Sequence, residues 1–390
     1  MYFDKYGLRD KNERIVLESL MANQPLSRVD LSKITHLNKA TITNIINTFI
    51  DRKLINEIGF GVSHTTGGRR PILLEMNRNA GTAISIDVGN DYMRAIMTDL
   101  NGTVLAHYET ATQSIDASNI YTLVDEIVNA FTAEASKTIY GIVAMVLAIH
   151  GVVFENHITV APNYNLIGLN LHETLSKKYT FPVLLENEAN LAALGHISGS
   201  HEVSNAVLLS IHTGIGAGII IDRNLYTGLN GAAGEVGHLT LYPSGKPCRC
   251  GRQGCLEQYC SSKVIYDAFH ELYPQKTMTH NLLVDAYETN PDFAMITNQA
   301  MRDLATGLNT IIASFNPEII YIVSDVITAI PSLLTLLSDT LQNDYNYSVP
   351  LMISDIAPGA TLFGGASLGI AEFLGTERFT LMRHEVKNNN

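Results

Sequence analysis

No stretch of this chain is apolar for the length of a membrane span without a charge or a turn residue breaking it, so no membrane-crossing helix is expected. The opening residues, MYFDKYGLRDKNERIV, lack the apolar centre of a secretion signal, which makes the cytoplasm the expected location. Tryptophan is absent, and all four cysteines lie between positions 248 and 260. A disulfide framework would scatter its cysteines along the chain, so this confinement points to a metal site instead. Charge is sparse as well, at 16% of residues against 46% hydrophobic, the balance of a compact soluble protein. At 390 residues such a chain exceeds one ordinary core and should divide into two or three domains. The acid excess is uneven. The formal charge is −12, yet residues 1–80 hold 12 Lys and Arg against 8 Asp and Glu, while residues 81–390 hold 14 against 30. A basic head on an acidic body predicts that only the head meets a polyanion.

In the head, NERIVLESLMANQ places apolar residues at 15, 16, 17, 20 and 21, the stripe of an amphipathic helix that ends before Pro25. Ser27 then stands as the N-cap of SRVDLSKIT, with Asp30 at the acid position of a capping box. After the turn HLN, the segment KATITNIINTFIDRKLI turns Ile42, Ile45, Ile46 and Phe49 inward. It leaves Lys39, Thr41, Thr43, Asn44 and Asn47 outward. Three helices with small polar residues on the outer face of the last are arranged as a major-groove reader: Asn and Thr suit base edges, and Lys39 and Arg52 suit phosphates. The same three helices would also serve as a protein-interaction module. The neighbouring segment favours double-stranded DNA. LINEIGFGVSHTTGGRRPILLEMN alternates as a hairpin whose Gly- and Thr-rich tip carries Arg69 and Arg70, an arm able to enter a narrow minor groove. Residues 1–78 therefore read as a winged helix-turn-helix.

In the body, two segments share one grammar. AISIDVGNDYMRAIMTDLNGTVLAHYE, from residue 83, and AVLLSIHTGIGAGIIIDRNLYTG, from 206, each run strand, glycine turn, strand, turn. Helical patterns occupy 118–136 in the first half, and 258–273, 278–289 and 296–315 in the second. The strand-like runs IVAMVLAIHG, PVLLENE and EIIYIVSDV lie between. This alternation predicts an α/β body with much parallel sheet. Its two lobes would span about 79–195 and 196–370, with a C-terminal helix returning to the first. The turn TGIGAG offers exposed amides that suit an anion, although an ordinary hairpin turn would use the same glycines. His150 and His212, set in apolar runs, read as satisfied core histidines.

The segment GEVGHLTLYPSGKPCRCGRQGCLEQYCS is the most specific in the chain. His238, Cys248, Cys250 and Cys255 carry the donor set and spacing of a closed, structural zinc site; a four-cysteine set using Cys260 is the alternative. With four protein ligands no position is left for water, so zinc would be a scaffold. Glu235 and Glu257 flank it, held where they could accept hydrogen bonds from sugar hydroxyls.

Taken together, GHLTLYPSGKPCRCGRQGCLE, TGIGAGI, NKATITNIINTFIDRKLI and GGRRPILLEMN resemble the ROK family (repressors, open reading frames and kinases) over essentially the whole chain. Within the family, ENEAN, DVGNDY and TDLNGTV look most like xylose repressors of Gram-positive bacteria. The resemblance implies a two-lobed, actin-like (ribonuclease H-like) ATPase fold behind the DNA-binding head. It implies a repressor, a homodimer or dimer of dimers on a palindromic operator, released when a sugar closes the cleft of the body. By the same carry-over Asn163, Asn187, Glu188, Glu235, His238 and Glu257 would bind the sugar. A tryptophan that similar repressors show near Asn163 is Leu166 here. Family kinases have an Asn-Asp pair where this chain has Asn187 and Glu188, and read DxGGT where it has Asp87, Val88, Gly89, Asn90 and Asp91. Ser324 and Asp325 replace glycines that the kinases keep beside the nucleotide. These departures imply that the chain is not an enzyme, with two rivals: a sugar kinase with a regulatory head, or a DNA-binding regulator controlled by a phosphotransferase-system protein.

Overall fold

The computed structural model describes residues 11–61, 70–111, 113–161, 166, 168–198, 203–341, 349–354, 356 and 359–376. It divides into two compact units, Met1–Ser200 with Thr361–Asn390, and His201–Ala360.

The first unit begins with α1 (Lys11–Asn23), which buries Val16, Leu17, Leu20 and Met21. A two-residue strand, β1 (Leu26–Ser27), leads into α2 (Arg28–Thr35). The cap of α2 is the one expected: the Ser27 side chain accepts from the Asp30 N–H while the Asp30 carboxylate accepts from the Ser27 N–H. His36 ends the helix in the left-handed region, at φ 59°. Asn38 then caps α3 (Lys39–Asp51), whose buried face is Ile42, Ile45, Ile46 and Phe49. Strands β2 (Ile55–Phe60) and β3 (Ile72–Met76) pair antiparallel, with β1 on the far side of β3. The head's apolar core continues into the sheet below, since Phe49, Leu74 and Met76 share one cluster with Ala83, Val143, Ile370 and Phe373. The Tyr140 hydroxyl donates to the Arg52 carbonyl at 2.7 Å along the same seam.

That sheet opens with an antiparallel meander of β4 (Thr82–Val88), β5 (Met93–Asp99) and β6 (Val104–Glu109). After α4 (Ile120–Ala135), β7 (Ile142–Ile149) joins parallel to β4. A small ribbon, β8 (Val152–Phe154) and β9 (His157–Val160), and α5 (Leu171–Lys178) precede β10 (Val183–Asn187), which lies parallel to β7. The order is β10-β7-β4-β5-β6. Strand alternation splits the cover of β7: Met145, Leu147 and Ile149 pack with α4, whereas Val146 and Ala148 pack with Leu191 and Leu368. The latter two belong to α6 (Glu188–Ile197) and α13 (Ala360–Leu374). Both faces are covered, which is why β7 is a continuous apolar run and every residue of β4 is buried.

The second unit repeats this plan. Strands β11 (Ala206–Ile211), β12 (Ile215–Ile221) and β13 (Asn224–Leu225) form a meander, β14 (Ile319–Val323) and β15 (Leu351–Ile353) add in parallel, and the order is β13-β12-β11-β14-β15. Its helices are α7 (Glu257–Cys260), α8 (Ser262–Leu272), α9 (His280–Thr289), α10 (Pro291–Phe315), α11 (Asp325–Ala329) and α12 (Ser332–Leu341). The long helix starts at Pro291, ahead of the expected 296. Asn290 accepts from the N–H groups of Asp292 and Phe293, and Pro291 fills the first position, where its missing donor costs nothing. TGIGAG resolves as a hairpin: Gly216 and Gly218 lie inside β12, paired with Ser210 and Leu208. No helix among the described residues is long and apolar enough to cross a membrane.

Candidate functional site

Three adjacent parallel strands of the first sheet bring charged residues to their carboxyl ends, where parallel α/β sheets collect ligands. Asp87 is the last residue but one of β4, His150 comes directly after β7, and Glu188 opens α6 directly after β10. Val88 and Asn187 both lie opposite Ile149, so the three side chains emerge at one edge. His150 Nε2 is 3.0 Å from Asp87 Oδ1, and its Nδ1 is 3.9 Å from Glu188 Oε2. Glu188 Oε1 accepts from Thr361 Oγ1 at 3.0 Å. Burial by itself would lower the pKa of His150, but the charge of Asp87, its hydrogen bond and the charge of Glu188 outweigh it and raise the imidazole to about 9. At neutral pH an imidazolium therefore stands between two carboxylates. His150 is satisfied, as expected of it, but by charged groups of the site and not by a polar core.

The other oxygen of Asp87 is taken as well. Tyr92 Oη donates to Asp87 Oδ2 at 3.1 Å, and its ring covers the turn so closely that a Cβ on Gly89 would come within 2.2 Å of Tyr92 Cε1. Asn90 and Asp91, which the sequence singles out, are exposed at the rim of this turn. No local pattern marks Tyr92 or His150 as members of the site, because only the fold shows that both reach Asp87. Asn187, expected as a sugar contact, is a helix cap: its Oδ1 accepts from the Asn190 N–H at 3.0 Å and its Nδ2 donates to the Gly151 carbonyl at 2.8 Å. Beside it Glu186 accepts from the Asn187 N–H and from Asn190 Nδ2, and burial raises its pKa. Asn163 lies outside the described residues, and Leu166 is buried.

In the second unit, two glycines seat the histidine. A Cβ on Gly234 would come within 1.9 Å of the Ala217 carbonyl oxygen, and one on Gly237 within 2.3 Å of that of Ile215. The backbone of GEVGH therefore lies directly on β12, with the Ala217 N–H donating to the Gly234 carbonyl at 2.8 Å. The cysteine loop folds back through the Cys248 N–H to the Arg252 carbonyl, and a bridge between Thr240 and Cys255 sets the two arms side by side. One ligand atom each from His238, Cys248, Cys250 and Cys255 then falls within 4.8 Å of all the others. Cys260 is buried on α7, its thiol donating to the Leu256 carbonyl, and stands outside this group. Three sulfurs and one imidazole fit a tetrahedral metal ion.

Two carboxylates border the cluster. Glu235 Oε2 is 3.8 Å from His238 Nε2, and Glu257 Oε1 is 3.5 Å from His238 Nδ1 and 3.1 Å from Cys248 Sγ. Burial raises the pKa of Glu235, with His238 opposing and Glu257 adding to the shift. Glu257 Oε2 also stands over Gly214, where a Cβ would meet it at 3.0 Å, so the β11–β12 turn faces a carboxylate. Of the expected sugar ligands, the second unit thus brings together Glu235, His238 and Glu257.

On the head, Lys39, Thr43, Asn44 and Asn47 are exposed along α3 and Thr41 is half-buried. Thr43 already donates its hydroxyl to the Lys39 carbonyl at 2.8 Å. Arg70 is exposed at the base of the wing, and Arg69 lies outside the described residues. Arg52, expected at phosphates, points elsewhere. It caps α3, faces Glu13 at 3.8 Å, and its Nη1 is buried.

Residues 83–369 match the ROK family. The chain is 31% identical to the xylose repressor of Bacillus spizizenii over 382 residues, covering 95% of this chain and 98% of that one. It is 32% identical to the xylose repressor of Staphylococcus xylosus over 368 residues, covering 91% and 93%. Among solved structures it is similar to a ROK family transcriptional regulator, a homolog of the E. coli MLC protein, with a TM-score of 0.77, 27% identity and coverage of 95% and 97%. A ROK family glucokinase from Streptomyces griseus, solved with glucose and AMPPNP, shares the fold at a TM-score of 0.62 and 22% identity, covering 74% of this chain and 99% of its own. The kinase is matched nearly whole while about a quarter of this chain has no counterpart in it. With the repeated β-meander lobes, the histidine–cysteine loop and a family match that begins where the head ends, the chain belongs to the ROK family.

Proposed function

We propose that the protein is a sugar-responsive transcriptional repressor that binds operator DNA through its head and a small sugar through its body. One observation carries the non-enzymatic part. Asp87, at the phosphate turn of a kinase fold, has both oxygens engaged by this chain's own Tyr92 and His150. Glu188, where the family's kinases have their catalytic aspartate, faces that same imidazolium and accepts from Thr361. Its carboxylate sits one methylene farther out than an aspartate's, and a misplacement of about 1 Å costs on the order of 100-fold in rate. Ser324, in the other altered segment, is used as the cap of α11.

By the family carry-over, the residues that would meet the sugar's hydroxyls are Asn163, Asn187, Glu188, Glu235, His238 and Glu257. Xylose is the first candidate, because several relatives are xylose repressors. Zinc fits His238, Cys248, Cys250 and Cys255; bound there it supplies no chemistry beyond fixing the loop that carries the two flanking acids. Lys39, Thr41, Thr43, Asn44 and Asn47 would face the major groove, with Arg69 and Arg70 on the wing. Two copies related by two-fold symmetry would match a palindromic operator.

The test is fluorescence anisotropy of labelled DNA from upstream of the chain's own gene, titrated with xylose, glucose and N-acetylglucosamine. The label sits on the DNA because the protein has no tryptophan. Tight binding released by one sugar is the expected result. Tight binding indifferent to all three overturns sugar control in favour of a protein partner. ATP-dependent phosphorylation of xylose or a hexose, abolished in Glu188→Ala, overturns the non-enzymatic reading.

A further inference from the structure

Arg28 opens α2, and no sequence motif draws attention to it. Its Nη2 donates to Asn47 Oδ1 on α3 at 3.3 Å and lies 2.9 Å from Glu57 Oε1 on β2. One guanidinium thus ties together the three elements that would surround a DNA groove: the first helix of the helix-turn-helix, the recognition helix and the wing. The contact stands in water, with 25% of the Arg28 side chain and 41% of the Glu57 side chain exposed. Asn47 belongs to the same outer face as Thr43 and Asn44.

Two facts of charge set the role of this arginine. Glu57 is a carboxylate on a face that would meet a polyanion, and Arg28 neutralises it. At the start of α2 the capping box already engages the Asp30 N–H and sets a carboxylate beside it. Asp30 Oδ2 accepts from the Ser27 N–H at 3.1 Å and from Ser27 Oγ at 2.6 Å, leaving a negative group there. The guanidinium is the cationic group placed to hold a phosphate at this corner. Both of its present contacts use Nη2, whereas a guanidinium has five N–H donors in a rigid fork. It has the means to keep Asn47 and take a phosphate as well. An exposed ion pair with Glu57 is a weak competitor for that position.

We propose that Arg28 is a phosphate-contacting residue of the DNA interface that also positions Asn47. On the duplex its guanidinium exchanges Glu57 for a backbone phosphate and keeps its bond to Asn47 Oδ1. The amide of Asn47 is thereby turned so that Nδ2 points outward as a donor, suited to a purine N7, a guanine O6 or a thymine O4 in the major groove.

This inference rests on the reading of the head as DNA-binding, and the experiment separates the two. Anisotropy of a labelled duplex from upstream of the chain's own gene is measured against salt for the wild type, Arg28→Gln, Arg28→Lys and Glu57→Gln. In Arg28→Gln the slope of log K against log salt should become shallower by about 0.9 per bound head, which is about eightfold weaker binding at 0.1 M salt and convergence with wild type near 1 M. Arg28→Lys should keep the slope, since it keeps the charge. Glu57→Gln should keep the slope and bind more tightly. An unchanged slope in Arg28→Gln overturns the proposal, as does equal weakening in Arg28→Gln and Glu57→Gln, the signature of a mere latch between wing and helix. A wild type that binds no duplex overturns the DNA-binding reading itself, and this inference with it.

Discussion

Raising the pH from 6 to 9.5 should destabilise the first unit through one residue, His150. In the unfolded chain its imidazole titrates near its ordinary 6.5, and in the fold it titrates at about 9. Because the folded value is the higher one, the stabilisation is fully present below 6.5 and is lost as the pH rises through 9. Between those limits the folded state holds one more proton than the unfolded state. Each pH unit then removes about 1.4 kcal/mol, roughly 3 kcal/mol over the window. Screening by solvent takes little from this, since the side chains of His150 and Asp87 are 21% and 12% exposed. For a unit of this size the loss corresponds to a fall in melting temperature on the order of 10 °C. Scanning calorimetry of the wild type and His150→Gln across the window reads it directly. Glutamine keeps a donor for Asp87 but cannot titrate, so its curve should lack this component and the wild type's advantage should shrink as pH rises. Parallel curves for the two proteins would refute the bridge. So would a difference that opens only below pH 6.5, because it would show His150 neutral between its two partners.

Three further outcomes are expected from the geometry. Chelation of the metal and Cys255→Ser should each lower the melting temperature of the second unit, by the same amount, and metal analysis of the untreated protein should find zinc in equimolar amount; unchanged melting after chelation would leave the four ligands without a structural role. Ser27→Ala removes the acceptor of the capping box and should cost the head about 1 kcal/mol, read by urea unfolding. Gly234→Ala places a Cβ 1.9 Å from the Ala217 carbonyl oxygen at a residue with φ of 91°, and should cost about 3 kcal/mol or more, visible as a lower urea midpoint.

Where the signal is local, the sequence is legible. The capping box at Ser27 and Asp30, the inward face Ile42, Ile45, Ile46 and Phe49, and the hairpin after them depend on residues a few positions apart, and each forms as read. The duplicated grammar of the body becomes a duplicated topology, since a meander with parallel additions is dictated by short turns and helical crossovers. The start of α10 is misjudged from sequence because its apolar stripe begins at Phe293 while the capping signal sits at Asn290, within a polar stretch that resembles a loop. TGIGAG leaves two readings open in sequence, and the pairing of Gly216 and Gly218 within β12 bears out the hairpin.

The two site clusters differ in legibility for the same reason. The metal ligands fall within one loop, so spacing suffices to group His238 with Cys248, Cys250 and Cys255, while Cys260 is left out once the fold seats it on α7 with its thiol on the Leu256 carbonyl. The charged cluster of the first unit joins residues that spacing cannot relate: His150 is 63 residues from Asp87, and Thr361 is 173 residues from Glu188. What relates them is strand order. Each of the segments DVGNDY, AIHG and ENEAN ends a buried parallel strand with an ionisable residue. Once β7 lies between β4 and β10, the residue that ends β7 must stand between those that end its neighbours. That residue is a base and its neighbours are acids, so their charges interlock at one edge of the sheet. The engagement of Asp87 is therefore spread over three strands and a tyrosine. A chain that kept the DxGGT turn and lost only His150 would present Asp87 and Glu188 as two unneutralised carboxylates. On this reasoning Asp87→Asn in the present chain should lower the affinity for the sugar as well as the pKa of His150, because Glu188 would then hold the imidazole alone. If calorimetric titration with the inducing sugar gives the same affinity for Asp87→Asn as for the wild type, the imidazole is not what orients Glu188.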